Sequence, residues 1–243
     1  MSGVRFPFVA ILGLMVALLA GSPVRAESPA MNDDQKAAIQ KLVHDYLIEH
    51  PEVVVEALTV AQNNERRKSL EESHGALFND PQSPVLGNPK GDVTVVEFFD
   101  YACPYCKSME ETLRSLLKDD SNVRLVLKEF PVLGQGSILA SRAALASREQ
   151  DKYQPFHDAL IATRGQFNEG IVMNVAHSVG LDTDRLKADM AKPEVVAAIK
   201  SNHELAETLS IGGTPAFVVG DQIYPGAMDL AALKQAVAQA RKN

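Results

Sequence analysis

Two cysteines three positions apart, at the junction between an apolar strand and an amphipathic helix, constrain this chain more than any other feature. They form Cys103-Pro104-Tyr105-Cys106, and the chain has no others. Val93 to Tyr101 (VTVVEFFDY) reads as a buried strand, and Lys107 to Lys118 as a helix with one apolar face. A cysteine where a strand hands over to a helix meets unpaired backbone N–H groups and the positive end of the helix dipole. Both stabilise a thiolate. Such a pair can pass between dithiol and disulfide with almost no change elsewhere, so redox chemistry is the first reading. The competing reading is a structural staple. A bridge closing so short a loop is worth only about 2 kcal/mol on the chain-entropy model, which adds little to a core of this size.

The start of the chain reads as an export signal. Arg5 gives a weakly positive start, Phe6 to Ala20 is apolar without charge, and Val24-Arg25-Ala26 offers a small-residue cleavage site. The apolar run is short for a membrane span, although an uncleaved anchor is the alternative. No cysteine near residue 26 could take a lipid. Cleavage after Ala26 would remove Arg5, Arg25 and no acid, moving the net charge from −7 to −9. An acidic chain without a basic stripe argues against nucleic acid as a partner. Export into an oxidising compartment would let a disulfide persist.

Beyond Met31, Asn32 and Gln35 predict a capping box, with Asp33 and Asp34 in the first turn. Ile39, Leu42, Val43, Tyr46 and Leu47 then recur at helical spacing. Pro51 ends this helix near Glu49-His50 and opens a second. The second helix carries Val54, Val55, Leu58 and Ala61 and turns polar from Gln62 to His74. This arm has apolar faces but too few residues for its own core. It packs either on the main domain or on copies of itself. The proline- and glycine-rich stretch 79–92 marks a boundary, with Val85-Leu86 as a short edge strand. Then come a strand to Tyr101, a helix over 103–119, a strand over 123–130 and a helix over 137–147. Further helices fill 151–209, broken at Gly170 and Gly180. Strands at 216–219 and 222–224 and a closing helix over 230–241 complete the order. The reading is an α/β chain: β-α-β, a helical insert over about 135–209, then β-β-α.

That order, with a CxxC at the first helix start, resembles the thioredoxin fold with a helical insertion found in the DsbA family. Val96-Glu97-Phe98-Phe99 before the CxxC, Lys128-Glu129-Phe130-Pro131 at the end of the next strand, and Gly213-Thr214-Pro215-Ala216 carry the resemblance. The arm, including Tyr46-Leu47-Ile48-Glu49-His50-Pro51-Glu52-Val53, is similar to the N-terminal region of ScsC (suppressor of copper sensitivity) proteins. The implied organisation is a signal at 1–26, a helical oligomerisation region at 27–78 and a catalytic domain at 79–243.

Roles follow for the matching residues. Cys103, at the helix start and exposed, attacks as the thiolate. Cys106, one turn in and buried, resolves the mixed disulfide. Pro104 suits the first helical position. Tyr105 offers the sulfur only a hydroxyl, where some relatives carry histidine, which argues against extreme oxidising power. Thr214-Pro215 resembles a cis-proline loop facing the cysteines, able to pair with an extended substrate chain. Glu97 is expected as a buried acid that handles the Cys106 proton, with Lys128 as its buried partner. Asp100 is expected to be exposed. The six histidines are scattered without metal-ligand spacing and read as surface or helix-end residues. Met109 reads as core, with a soft copper site beside the thiolates as the alternative.

The function expected is disulfide isomerisation or reduction of misfolded or cysteine-containing exported proteins in the periplasm, without an organic cofactor. A membrane redox partner would reset the pair. The resemblance to ScsC implies a homo-oligomer, a trimer. The rival readings are a monomeric dithiol oxidase and a periplasmic copper-binding or relay protein using the same two cysteines.

Overall fold

Apolar runs at strand spacing, separated by helices with one apolar face, build a five-stranded sheet in the computed structural model, which describes residues 31–242. The export signal lies outside the described residues. The chain divides into two compact units, one up to Val55 and one from Glu56.

In the first unit, α1 (Asp33–Glu49) starts at Asn32 with both arms of the capping box. The Gln35 N–H donates to Asn32 Oδ1 at 2.8 Å, and the Asn32 N–H donates to Gln35 Oε1 at 3.1 Å. None of the α1 residues is buried, and Leu42 is 69% exposed. Helix α2 (Pro51–Glu72) follows at once; its Val54 and Val55 in this unit, and its Leu58 in the second, are exposed too.

The second unit holds the sheet. Its strands are β1 (Val85–Gly87), β2 (Val93–Phe99), β3 (Val123–Glu129), β4 (Ala216–Val219) and β5 (Gln222–Pro225), in the order β1-β3-β2-β4-β5. Strands β2 and β3 are parallel, as their connection through α4 (Pro104–Asp119) requires; the other pairs are antiparallel. The insert contributes α5 (Gln135–Ala146), α6 (Tyr153–Ala162), α7 (Glu169–Ser178), α8 (Thr183–Met190) and α9 (Pro193–Thr208), and α10 (Leu230–Ala240) closes the chain. Gly180 ends α7 with φ +77°, as expected. Gly170 instead lies inside the first turn of α7, because Asn168 caps that helix by accepting the Ile171 N–H.

Side-chain alternation splits the core into two. Val95, Phe99, Leu125 and Leu127 face one side with Met109, Leu113 and Leu233, so Met109 is core. Val96, Phe98 and Val126 face the other side with Leu205 and Ala206 of α9. This second core also takes Leu70 of α2 and Leu77 of α3 (His74–Phe78), residues within the segment that the sequence assigned to the arm. Among the described residues, no helix is long and apolar enough to cross a membrane.

Candidate active site

Strand β2 delivers the reactive turn. It stops at Phe99, and the Cys103 N–H bonds back to the Asp100 carbonyl at 3.0 Å. Cys103 is then the N-cap of α4 in extended conformation, with Pro104 in the first helical turn, where a missing N–H costs nothing. Asp100 was expected in water but is fully buried. One carboxylate oxygen accepts the Ala102 N–H at 2.7 Å, and the other accepts the N–H groups of Val132 and Leu133 at 2.8 and 2.9 Å. Asp100 therefore ties the cysteine turn to the loop leaving β3, replacing water with three fixed donors.

Strand β4 runs antiparallel to β2, so its N-terminal end meets the C-terminal end of β2. That brings Thr214-Pro215, a cis peptide, against the cysteines. The Cys103 thiol donates to the Thr214 carbonyl oxygen at 3.3 Å. Cys103 is only 4% exposed, less than the sequence suggested, because this loop covers it. Gly212 and Gly213, just before Thr214, have open space above them. A groove of about 470 Å³ runs along this loop past Ile211, Pro215 and Ile223. Tyr105, Val132 and Leu133 present exposed apolar surface.

Cys106 is buried one turn into α4. Burial pushes its thiol far up, and the Glu97 charge adds to the effect. Glu97 is buried beneath it and accepts no hydrogen bond from any described residue. Burial first, then the charges of Glu110, Cys103 and Glu129, hold its carboxyl well above the ordinary range.

Lys128 is not the partner of Glu97. In the parallel register Glu97 lies opposite Leu127, and Lys128 opposite Phe98, so the two side chains leave opposite faces of the sheet. Lys128 instead donates to the Ala76 carbonyl (2.6 Å), Ser83 Oγ (2.6 Å) and Asp80 Oδ2 (3.0 Å).

Glu97 shares its face with a polar cluster absent from the sequence reading. Glu129 accepts hydrogen bonds from the Tyr101 and Tyr153 hydroxyls at 3.0 and 2.9 Å. Burial raises Glu129 to about 8 although both tyrosines oppose the shift. His157, expected at the surface, is buried, with Nδ1 2.9 Å from the Tyr101 hydroxyl and Nε2 3.6 Å from Glu110 Oε2. Alternation carried a signal for Glu129, which continues the Leu125, Leu127 series into the core. For His157 the signal was its spacing from Tyr153, Phe156 and Leu160 on one face of α6. Glu110, His157 and Asp158 bring donor atoms within 4.8 Å of one another. Arg114 already bridges the two carboxylates, at 2.7 Å to Glu110 and 3.2 Å to Asp158, and supplies the cation there.

Comparison with known proteins agrees with this geometry. The DSBA-like thioredoxin domain model matches residues 94–238, and the copper resistance protein ScsC N-terminal domain model matches residues 35–68. A thioredoxin-like oxidoreductase from Silicibacter pomeroyi is 53% identical, covering 70% of this chain and 98% of its own, with a TM-score of 0.69. A linker-deletion mutant of Proteus mirabilis ScsC is 29% identical, covering 89% of this chain and 99% of its own, with a TM-score of 0.74. The Na(+)/H(+) antiporter NhaA 1 of Salinispora arenicola is 32% identical over 158 residues, 64% of this chain, and the chain spans only 24% of that antiporter's length. The chain belongs to the DsbA-like thioredoxin-domain family, and its residues 35–68 match the ScsC N-terminal domain ahead of that domain.

Proposed function

We propose that this protein is an exported, periplasmic thiol–disulfide oxidoreductase that isomerises or reduces disulfides in other exported proteins. The observation that carries the reading is the Cys103 sulfur held 3.3 Å from the Thr214 carbonyl, beside an open groove and with Cys106 buried behind it. An extended substrate strand can pair with the Thr214 backbone and bring its own disulfide to Cys103. The Cys103 thiolate attacks one substrate sulfur. A mixed disulfide forms and the second substrate sulfur leaves as a thiolate. That thiolate can attack elsewhere in the substrate, which is isomerisation and returns Cys103 reduced. Alternatively Cys106 attacks Cys103, expels the reduced substrate and leaves the Cys103–Cys106 disulfide. Glu97 is the group placed to take the Cys106 proton in that second step. Asp100 and Pro104 hold the turn in place, and Tyr105 supplies apolar surface to the substrate.

The arm supports the isomerase reading. Its Ile39, Leu42 and Val43 are about half to two-thirds exposed, so completing their burial would gain on the order of 1–2 kcal/mol each, and Tyr46 beside them is half exposed too. Self-association into a trimer would supply that burial. It would also set several Cys103 sulfurs around one substrate, raising effective concentration for release and recapture. It would further keep an oxidising partner away from the pair. The alternative is a monomeric dithiol oxidase. Refolding of scrambled ribonuclease by the mature chain, with alkylation trapping of the pair in cells, decides between them. A reduced pair with refolding activity supports the isomerase. An oxidised pair without it establishes the oxidase.

A further inference from the structure

Helix α2 is tied to the Thr214 loop through Leu70. That side chain is buried in the second core with Leu209 and Ile211, which lead from α9 into the loop. The turn between those two is fixed. Ser210 adopts φ +56°, its N–H bonds to the Glu207 carbonyl at 3.0 Å, and the Ile211 N–H bonds to the Ala206 carbonyl at 2.7 Å. Arg66 lies one helical turn before Leu70 on the same face of α2. It is thereby set at the edge of the groove of about 470 Å³ that follows the loop from Thr214 and Pro215 back to Leu209. A second opening of about 440 Å³ continues along α2 past Gln62 and Ser69, and Arg66, Leu209 and Ser210 line both.

Arg66 is the only charged residue lining the groove among the described residues. Its side chain is exposed and makes no hydrogen bond or ion pair with any described residue. The sequence explains why. Its neighbours three and four positions away are Gln62, Asn63, Ser69 and Leu70, and none is an acid. Glu65, next to it in the chain, lines only the second opening. Gly212 and Gly213 put no side chain over the groove, and the N–H groups of Gly212, Gly213 and Thr214 find no acceptor among the described residues. The groove therefore offers unpaired backbone to an extended chain, with a single positive charge at one end. In a chain of net charge −7, that local cation opposes a general field that repels acidic substrates.

We propose that Arg66 selects substrates carrying an aspartate or glutamate about three to five residues from the cysteine that Cys103 attacks. Thr214 and Leu209 are five positions apart, at most about 18 Å of extended chain. A strand laid against the loop brings a side chain at that separation to the guanidinium, whose planar fork donates two parallel N–H bonds to a carboxylate. Arg66 is a specificity residue. It touches the substrate away from the sulfur and takes no part in thiol exchange. This inference rests on the Thr214 loop being where an extended substrate lies.

The test uses the reduced mature protein and extended peptides whose one central cysteine is held as a mixed disulfide with thionitrobenzoate. Cys103 bonds to the peptide sulfur, the bond to thionitrobenzoate breaks, and the electron pair leaves on that coloured thiolate. The peptides carry Glu, Gln or Lys about four residues from the cysteine, on its N-terminal side in one set and its C-terminal side in another. In one set the Glu peptide should react about fivefold faster than the Lys peptide at low salt, and this preference should shrink as salt is added. Arg66→Gln should bring the two rates within about twofold, and Arg66→Glu should reverse their order. Arg67→Glu makes the same change in net charge and lines a different opening, so it should keep the preference. A capped cysteine with the same leaving group should react alike in every variant. A preference unchanged in Arg66→Glu, or lost equally in Arg67→Glu, overturns the assignment. An equal slowing of the capped cysteine in Arg66→Glu overturns it as well. Equal rates for Glu and Lys peptides in both sets, with the Gln peptide faster than the capped cysteine, overturn the role of Arg66 and leave the loop as the substrate platform. A Gln peptide no faster than the capped cysteine overturns the underlying reading.

Discussion

The Cys103 thiol donates a hydrogen bond to the Thr214 carbonyl oxygen across 111 positions of sequence. This contact sets Cys103 against the Thr214 loop while Cys106 lies one turn into α4, and it supports the proposed order in which they attack. Cys103→Ser is expected to abolish insulin reduction and scrambled-ribonuclease refolding. Cys106→Ser is expected to accumulate mixed disulfides, visible as mass adducts under non-reducing conditions. Faster iodoacetamide labelling of Cys106 than of Cys103 in the reduced protein would contradict the assignment.

Glu97→Gln keeps the shape of the side chain and removes its titration. General acid–base assistance is worth roughly 10²–10⁴ in rate, so the resolving step should slow by a factor of that order. Its pH dependence should flatten. Stopped-flow rates between pH 5 and 9 provide the measurement, and an unchanged profile would remove Glu97 from the chemistry.

Lys128→Met separates packing from catalysis. It deletes a buried ammonium and leaves Asp80 and Ser83 without their shared donor. A loss on the order of 3 kcal/mol in urea unfolding is expected for breaking such a pair on one side. The resolving-step pH profile should not move, because Lys128 points away from Glu97. A shifted profile would mean that the two side chains communicate through the sheet.

Glu129 makes stability fall as pH rises. Its folded value of about 8 lies above the 4.5 of an ordinary glutamate, so the unfolded chain releases this proton first. The favourable contribution is complete below about pH 4.5 and is lost on the way to about pH 8. The size is on the order of a few kcal/mol, by the linkage of about 1.4 kcal/mol per unit. Urea midpoints at pH 5 and pH 8 should therefore differ more in wild type than in Glu129→Gln. Equal differences would show that the carboxyl is not held neutral.

Removal of residues 27–64 should leave a folded monomer that still exchanges thiols but refolds scrambled ribonuclease poorly. Extending the deletion through His74 also strips Leu70 from the second core, which should cost about 2–5 kcal/mol more. Sedimentation of the full mature chain and urea unfolding of both truncations check this. A monomeric full-length chain at micromolar concentration would refute self-association.

Much of this architecture could be read from local pattern. The Asn32–Gln35 box needs only four residues, and the strand-to-helix step at Cys103 and the burial of Glu97 follow from their neighbours. What failed depended on register. Whether Lys128 meets Glu97 is set by the alignment of β2 with β3, and a shift of one residue reverses the answer. Asp100 sits one residue beyond β2, where alternation has stopped, so its burial arises from the loop at Val132 and Leu133. His157 could be placed on the buried face of α6, but its partners Tyr101 and Glu110 come from elements brought in by the fold. Leu70 lies in a run of charged residues, and only the packing of α3 beside it shows that the core begins there.

The strand order has a temporal consequence. The antiparallel pairing of β2 with β4 places the two walls of the reactive cleft at one end of the sheet, yet the whole helical insert separates them in the chain. A chain emerging from its N-terminus presents the two thiols long before the carbonyl that covers Cys103. Until β4 docks, the cysteines are an unguarded dithiol, open to any oxidant they meet. Completion of the sheet is thus also the step that sets the Thr214 carbonyl over Cys103.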